Sequence, residues 1–301
     1  MVIHIKAYIR SMPLYVMILP GMLFFLLFRY IPMMGLVVAF QEYNLFQGIM
    51  KSPWVGLEHF QRLFSDTDFY RLFTNTLKLS AINLFLYFPA PIVLALFINE
   101  IRKGWIARTI QTIVYVPHFV SWVVVVSVTV VLFAPSGGTI NVLLNSLGLD
   151  RWNFLVSADS FPWVYLMQNI WKESGWSAII FIAVLASVDP SLYEAAIMDG
   201  ANRMKQLLHI SLPALTTTIV LLFILRLGDI LEIGFEHIFL MQNPANLAAS
   251  DVFDTYIYRV GIQTGQFSYS TAIGLFKSFV GLLLVVAANG MAKKVGREGV
   301  F

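Results

Sequence analysis

Residues 161–188 read FPWVYLMQNIWKESGWSAIIFIAVLASV, residues 189–213 read DPSLYEAAIMDGANRMKQLLHISLP, and residues 212–233 return to apolar chain as LPALTTTIVLLFILRLGDILEI. Each flanking run matches the roughly 20 helical residues that cross a bilayer core of about 30 Å. Lipid offers backbone polar groups no water partner, so each run is predicted to be a helix. The connector has its own helical signals. Ser191 with Glu194 three residues on has the pattern of a capping box, and Pro190 stands at the entry, where a missing N–H does no harm. Gly200 is a stop, and Asn202 is placed to cap a second short helix running to Pro213. Leu192, Ala195 and Ala196 form a small apolar knob, and Glu194 and Asp199 supply charges that could orient it in another protein's groove.

Six such apolar windows emerge along the chain, at about 14–40, 77–101, 110–133, 161–188, 212–233 and 272–292. The predicted fold is therefore an all-α integral membrane protein, a single domain over residues 1–301 with six transmembrane helices and a cytoplasmic loop at 189–213. Composition agrees: 58% of the residues are hydrophobic and 12% charged, far from a soluble domain. A net charge of +3 is a weak pointer to anions in a membrane protein, and a nucleic-acid partner is not expected. The absence of cysteine removes disulfides, thiolate metal sites and a cysteine nucleophile. Pro20, Pro32, Pro89, Pro91 and Pro117 interrupt the windows and read as packing kinks. The start resembles a signal peptide but has no small-residue cleavage site, and it reads as an uncleaved first helix.

Orientation follows the basic residues. With both termini in the cytoplasm, Lys6, Arg10, Arg102, Lys103, Arg108, Arg203, Lys205, Lys293, Lys294 and Arg297 fall inside, against Lys51, Arg62, Arg71, Arg151 and Arg259 outside, a bias of about two to one. The predicted outer segments 41–76, 134–160 and 234–271 are long for hairpins and too apolar for disorder, which suits them to receive a partner.

The connector resembles the EAA loop of the membrane subunits of binding-protein-dependent ABC importers: Glu-Ala-Ala, three residues, Gly, nine residues, Ile-x-Leu-Pro. Glu194, Ala195, Ala196, Gly200, Ile210, Leu212 and Pro213 meet every position of that pattern, with Asp199 and Ala201 beside the glycine. In that family the loop is the coupling helix that docks on the ATP-hydrolysing subunit. The resemblance extends through Leu19-Pro20-Gly21, Arg29-Tyr30-Ile31-Pro32, Trp54–Phe60, Val116–Val124, Ile170–Trp176, Asp254–Gly261 and Gly274–Ser278. Together these stretches are similar to the carbohydrate branch, the LplB-like polysaccharide and oligosaccharide permeases. The resemblance implies a type I, maltose-permease-like transmembrane domain in a bacterial cell (inner) membrane. It implies import of oligosaccharides, uronate-containing alginate- or pectin-like chains among them, by alternating access. The implied partners are a second homologous permease, two ATPase subunits, an extracytoplasmic solute-binding protein and membrane lipid. Apolar faces on the fifth and sixth helices also call for a mate.

Charge inside the membrane is the remaining signal. Lys172, Glu173, Arg226, Asp229, Glu232 and Lys277 fall within or at the edges of spans, where a charge costs at least about 2.5–3.5 kcal/mol unless it faces protein or water. Glu173 shares a helix face with Trp176, and Arg226 with Asp229. By offset from the Glu-Ala-Ala motif, those faces match where the related maltose permease holds its sugar; only positions carry over, since the residue types differ. Two readings stand: structural pairs that neutralise one another, or a sugar path in which Trp176 stacks on a ring and the charges bind hydroxyls or a carboxylate. Arg29 and Lys78 read as snorkelling side chains.

No Gly-x4-Gly-Lys-Ser/Thr phosphate loop, zinc helix or nucleophile elbow occurs, and His4, His59, His118, His209 and His237 are scattered singly. The chain is therefore expected to be a non-catalytic subunit without cofactor or metal, ATP and Mg²⁺ belonging to the partner ATPase. A stand-alone secondary transporter or membrane enzyme working through the buried charges is the alternative, disfavoured by the coupling loop and the lack of internal repeats.

Overall fold

The structure, a computed structural model, describes residues 2–101 and 103–294. Arg102, Arg297 and the side chains of Lys6 and Arg10, used above for topology, lie outside that description. Among the described residues the chain is helical, with one isolated antiparallel bridge between Gln41 and Trp54. Four helices are long and apolar enough to span a membrane, and six spans result if each of two bent pairs counts as one. The chain divides into two compact units, residues 1–66 with 257–276 and residues 67–256 with 277–301.

In the first unit, α1 (Val2–Phe25) runs through a π turn and a 3-10 turn to Phe40. Only 11% of its apolar window is buried, so this span presents its surface to lipid or to another chain. Beyond it, His59 Nε2 lies 3.1 Å from the Gln41 carbonyl, and the Arg62 guanidinium sits 4.1 Å from the Tyr269 ring centre.

The second unit opens with α2 (Thr67–Ile82), which passes through a π turn at Asn83–Tyr87 into α3 (Pro89–Asn99). Pro89 and Pro91 lack the amides an α-helix would need here, and the wide turn is closed by Phe88 N–H donating to Asn83 O at 2.9 Å. This helix starts at Thr67, ten residues before the predicted window, because its first turns are amphipathic and escaped a search for continuous apolar chain.

The third predicted span is two helices. α4 (Gly104–Tyr115) ends in a 3-10 turn at Val116–Phe119, and α5 (Trp122–Phe133) leaves at 99°. Pro117 interrupts the first helix, and Ser121 starts the second by accepting a hydrogen bond from Val124 N–H at 3.4 Å. An N-cap inside the run turns the expected kink into a break.

Helix α6 (Phe161–Ala186) is the axis of the unit. Phe88, Ile92, Ala95, Ala178, Phe181 and Leu215 bury one core against it, and Leu79, Val126, Tyr165, Ile233, Ile238 and Val252 bury another. At Gly175 the Val114 carbonyl of α4 comes so close that a Cβ would collide with it.

The connector folds as α7 (Pro190–Met198), bent 69° from α6. The cap is Asp189, which accepts from Ser191 N–H at 2.9 Å, and the expected Ser191–Glu194 box does not form because Asp189 already holds that amide. Gly200 stops the helix at φ 77°, and Asn202 caps the next turn through Lys205 N–H at 2.9 Å, both as predicted. Helix α8 (Leu212–Gly228) stops short of the predicted 233. Gly228 packs back to back with Gly281 of α10, so Asp229 and Glu232 lie in the irregular chain beyond the helix end. After α9 (Phe235–Met241) and short turns, α10 (Phe267–Lys294) closes the described chain. The predicted outer segments are folded: Asn141 pins 134–160 by donating to Phe133, Ala134 and Trp152 carbonyls and accepting from Trp152 N–H at 2.8 Å.

Because Gly175 faces backbone that cannot move aside, Gly175→Leu should cost at least the 1–3 kcal/mol typical of overpacking. Its thermal midpoint in detergent, followed by size-exclusion chromatography, should fall clearly, whereas Gly274→Ala, which meets open space, should leave it unchanged. Equal midpoints for the two variants would contradict this packing.

Candidate functional site: a cavity and a coupling loop joined by one helix

A cavity of about 440 Å³ opens between α3, α6 and α8. Tyr87 comes from the end of the π turn, Trp176 and Ser177 from the middle of α6, Arg226 from the last turn of α8 and Asp229 from just beyond it. The Arg226 guanidinium stands 5.6 Å from the Tyr87 ring centre, and the Tyr87 and Ser177 hydroxyls share a hydrogen bond of 2.9 Å. A smaller pocket shares Tyr87, Arg226 and Asp229 and is also lined by Asn83 and Glu232. Arg226 and Asp229 are close on the same wall but form no ion pair with each other, so the predicted neutralising pair is absent among the described residues. An aromatic face, hydroxyls, one guanidinium and carboxylates around mostly apolar walls suit a polyhydroxylated ligand with a rigid ring.

Lys172 and Glu173 do pair, as one of the two predicted readings held. Lys172 is 5% exposed; its ammonium donates to Glu173 Oε1 at 2.8 Å and to the His118 carbonyl at 2.7 Å, and lies 5.0 Å from the Trp122 ring centre. The other oxygen of Glu173 is 2.7 Å from His118 Nδ1, and the His118 ring lies parallel to Trp176 at 4.5 Å. His118, read from sequence as packing, thus joins the ion cluster, because the break at Pro117 brings it back against α6. His237 is held between Trp122 and Tyr165, and its Nε2–H donates to Gln168 Oε1 at 2.5 Å. Burial first, and the Lys172 charge second, push its imidazole down to about 3, so it is neutral. Lys277 is buried in an ion pair with Asp254 and does not line the cavity. Arg29 and Lys78 are exposed.

At the other end of α8, the connector offers an exposed knob. Leu192, Ile197 and Met198 are exposed, as are Glu194 and Asp199. Ala196, Ala201 and Ile210 share a groove of about 360 Å³ with Lys205 and His209. Two links tie the knob to the spans: the Tyr193 and Ser211 hydroxyls lie 3.0 Å apart at the base of α8, and Arg203 reaches within 3.9 Å of Glu100 at the end of α3. Leu212 and Pro213 begin α8 itself. A 17-residue helix spans about 25 Å, so one rigid element carries the connector at its start and Arg226 near its end. Tyr87, Ser177 and Tyr193 were missed in the sequence, since neutral hydroxyls on apolar helices give no periodic or charge signal.

Residues 87–297 match the family of binding-protein-dependent transport system inner membrane components. Two proteins of Bacillus subtilis (strain 168) are similar over nearly the whole length. The polygalacturonan/rhamnogalacturonan transport system permease protein YteP is 52% identical across 97% of this chain and 91% of its own, and protein LplB is 51% identical across 97% and 92%. The crystal structure of a bacterial alginate ABC transporter in complex with an alginate pentasaccharide-bound periplasmic protein contains a chain that superposes with a TM-score of 0.89. That chain is 42% identical, with 98% of this chain and 99% of the other covered. The chain belongs to the family of binding-protein-dependent transport system inner membrane components, as a multi-pass ABC importer permease of the all-helical type I fold.

Proposed function

We propose that this chain is one half of the membrane pathway of an ATP-driven importer for uronate-containing oligosaccharides. The observation that carries the reading is that Arg226 and Trp176 line one cavity, with Arg226 near the far end of the helix that starts from the connector loop. A guanidinium fork matches a carboxylate in two parallel hydrogen bonds, and an indole face takes the C–H face of a sugar ring. The named substrates of the relatives, polygalacturonan, rhamnogalacturonan and alginate, are acidic polysaccharides, which supports the same class here. Asp229 and Glu232 would accept hydrogen bonds from sugar hydroxyls, and Tyr87 and Ser177 complete the polar lining.

In this reading Glu194, Ala195, Ala196, Asp199, Gly200 and Ala201 dock on an ATPase subunit, and Ile210, Leu212 and Pro213 pass its movement into α8. ATP and Mg²⁺ are bound by two such subunits. A related, non-identical permease covers the exposed apolar faces, a solute-binding protein delivers sugar from outside, and both termini lie in the cytoplasm. The alternative of a stand-alone transporter or membrane enzyme does not suit a component of a binding-protein-dependent system.

Loss of one charge-assisted hydrogen bond, about 1.5–3 kcal/mol, predicts that Arg226→Ala lowers uptake of a galacturonate oligosaccharide by the complete complex in proteoliposomes at least about tenfold. Trp176→Ala should fall in the same direction, and unchanged uptake in both would remove the binding assignment. Glu194→Lys should abolish uptake and leave ATP hydrolysis insensitive to the loaded binding protein; normal coupled transport in that variant would refute the docking role of the loop.

A further inference from the structure

The break between α4 and α5 ends in two rings, His118 and Phe119, and both meet Trp176. His118 covers one indole face, parallel within 2° at 4.5 Å, and Phe119 meets the indole edge-on at 5.7 Å and 81°. The indole remains 45% exposed and lines the cavity. His118 is itself fixed twice. Its ring nitrogen is held by Glu173 at 2.7 Å, and its carbonyl accepts from Lys172 at 2.7 Å. The two α6 side chains are locked to each other by the Lys172–Glu173 bond. A chain of contacts thus runs from a buried ammonium through a carboxylate and an imidazole to the ring that faces the cavity.

We infer that His118 is a positioning residue for sugar transport: its ring, oriented by Glu173, backs Trp176 and holds the indole as a fixed platform toward the cavity. The inference rests on the cavity being the sugar path. An indole with nothing behind it can turn about its two side-chain torsions, and that freedom is lost each time a sugar ring is received. Backing the ring removes that cost before the sugar arrives. The stack, and not the imidazole's hydrogen bonding alone, makes the platform; Glu173 serves to set the imidazole plane parallel to the indole. The break at Pro117 and Ser121 is what allows residue 118 to reach that position.

The test compares His118→Ala, His118→Phe and His118→Asn in the complete complex in proteoliposomes. The readout is galacturonate trisaccharide imported per ATP hydrolysed with saturating loaded binding protein, a ratio that a poorly assembled complex does not change. Aromatic pairs predict that His118→Ala lowers the ratio about three- to tenfold. His118→Phe, which keeps the stack, should recover most of it; His118→Asn, which keeps a partner for Glu173 without the ring, should not. An unchanged ratio in His118→Ala, or recovery by Asn and not by Phe, overturns the proposal. So does uptake falling in strict proportion to ATP hydrolysis in all three variants, the mark of a structural role. Trp176→Ala separates the two levels: a normal ratio there removes the cavity reading itself, whereas a low ratio there beside a normal His118→Ala removes only the role of His118.

Discussion

A buried ammonium in a membrane-spanning helix must be neutralised and hydrogen-bonded on the spot, and Lys172 sets that requirement for the second unit. Its partners are Glu173 on its own helix and the carbonyl of His118, which the helix break leaves without an α-helical donor. Leaving either partner out would expose the full desolvation cost of a charge in an apolar interior. The pairing therefore ties α6 to the break. It also brings His118 against Trp176, while burial between Trp122 and Tyr165, and the Lys172 charge second, keeps His237 uncharged. Close backbone contact at Gly175, one turn further on, reinforces the same junction.

The second constraint is mechanical. Helix α8 begins at the coupling loop and ends where Gly228 meets Gly281, with Arg226 at its last turn. The Tyr193–Ser211 and Arg203–Glu100 contacts give the loop two attachments to the spans. Beyond the helix end at Gly228, Asp229 and Glu232 sit on irregular chain. Charge scarcity is the common theme: the membrane admits few ionised groups, and among the buried or cavity-facing ones Lys172 and Lys277 are locked in pairs while Arg226 and Asp229 line a cavity.

Much of this was legible in the residues. Six apolar windows correspond to the four long helices and two bent pairs, the connector's Glu194, Ala195, Ala196, Gly200, Ile210, Leu212 and Pro213 pointed to the family, and its stop at Gly200 and cap at Asn202 were readable as local signals. Local signals also misled where two competed, as when Asp189 took the amide that Ser191 and Glu194 were expected to share. The third span read as continuous because valine-rich chain masks an N-cap at Ser121. His118 looked isolated because its partner Glu173 lies 55 residues away, and such contacts leave no periodic trace. Trp176, Arg226 and Asp229 were found because ionised and aromatic groups stand out in apolar chain; Tyr87 and Ser177 do not.

The central claim is that charge on the cavity wall reads charge on the sugar. It is tested most directly by ATP-driven uptake of a galacturonate oligosaccharide against its fully methyl-esterified counterpart, each presented on saturating binding protein to the complete complex. If Arg226 receives a carboxylate, the acidic sugar should be imported at least about tenfold faster, the value of one charge-assisted hydrogen bond. Equal rates for the acid and the neutral ester would contradict the account.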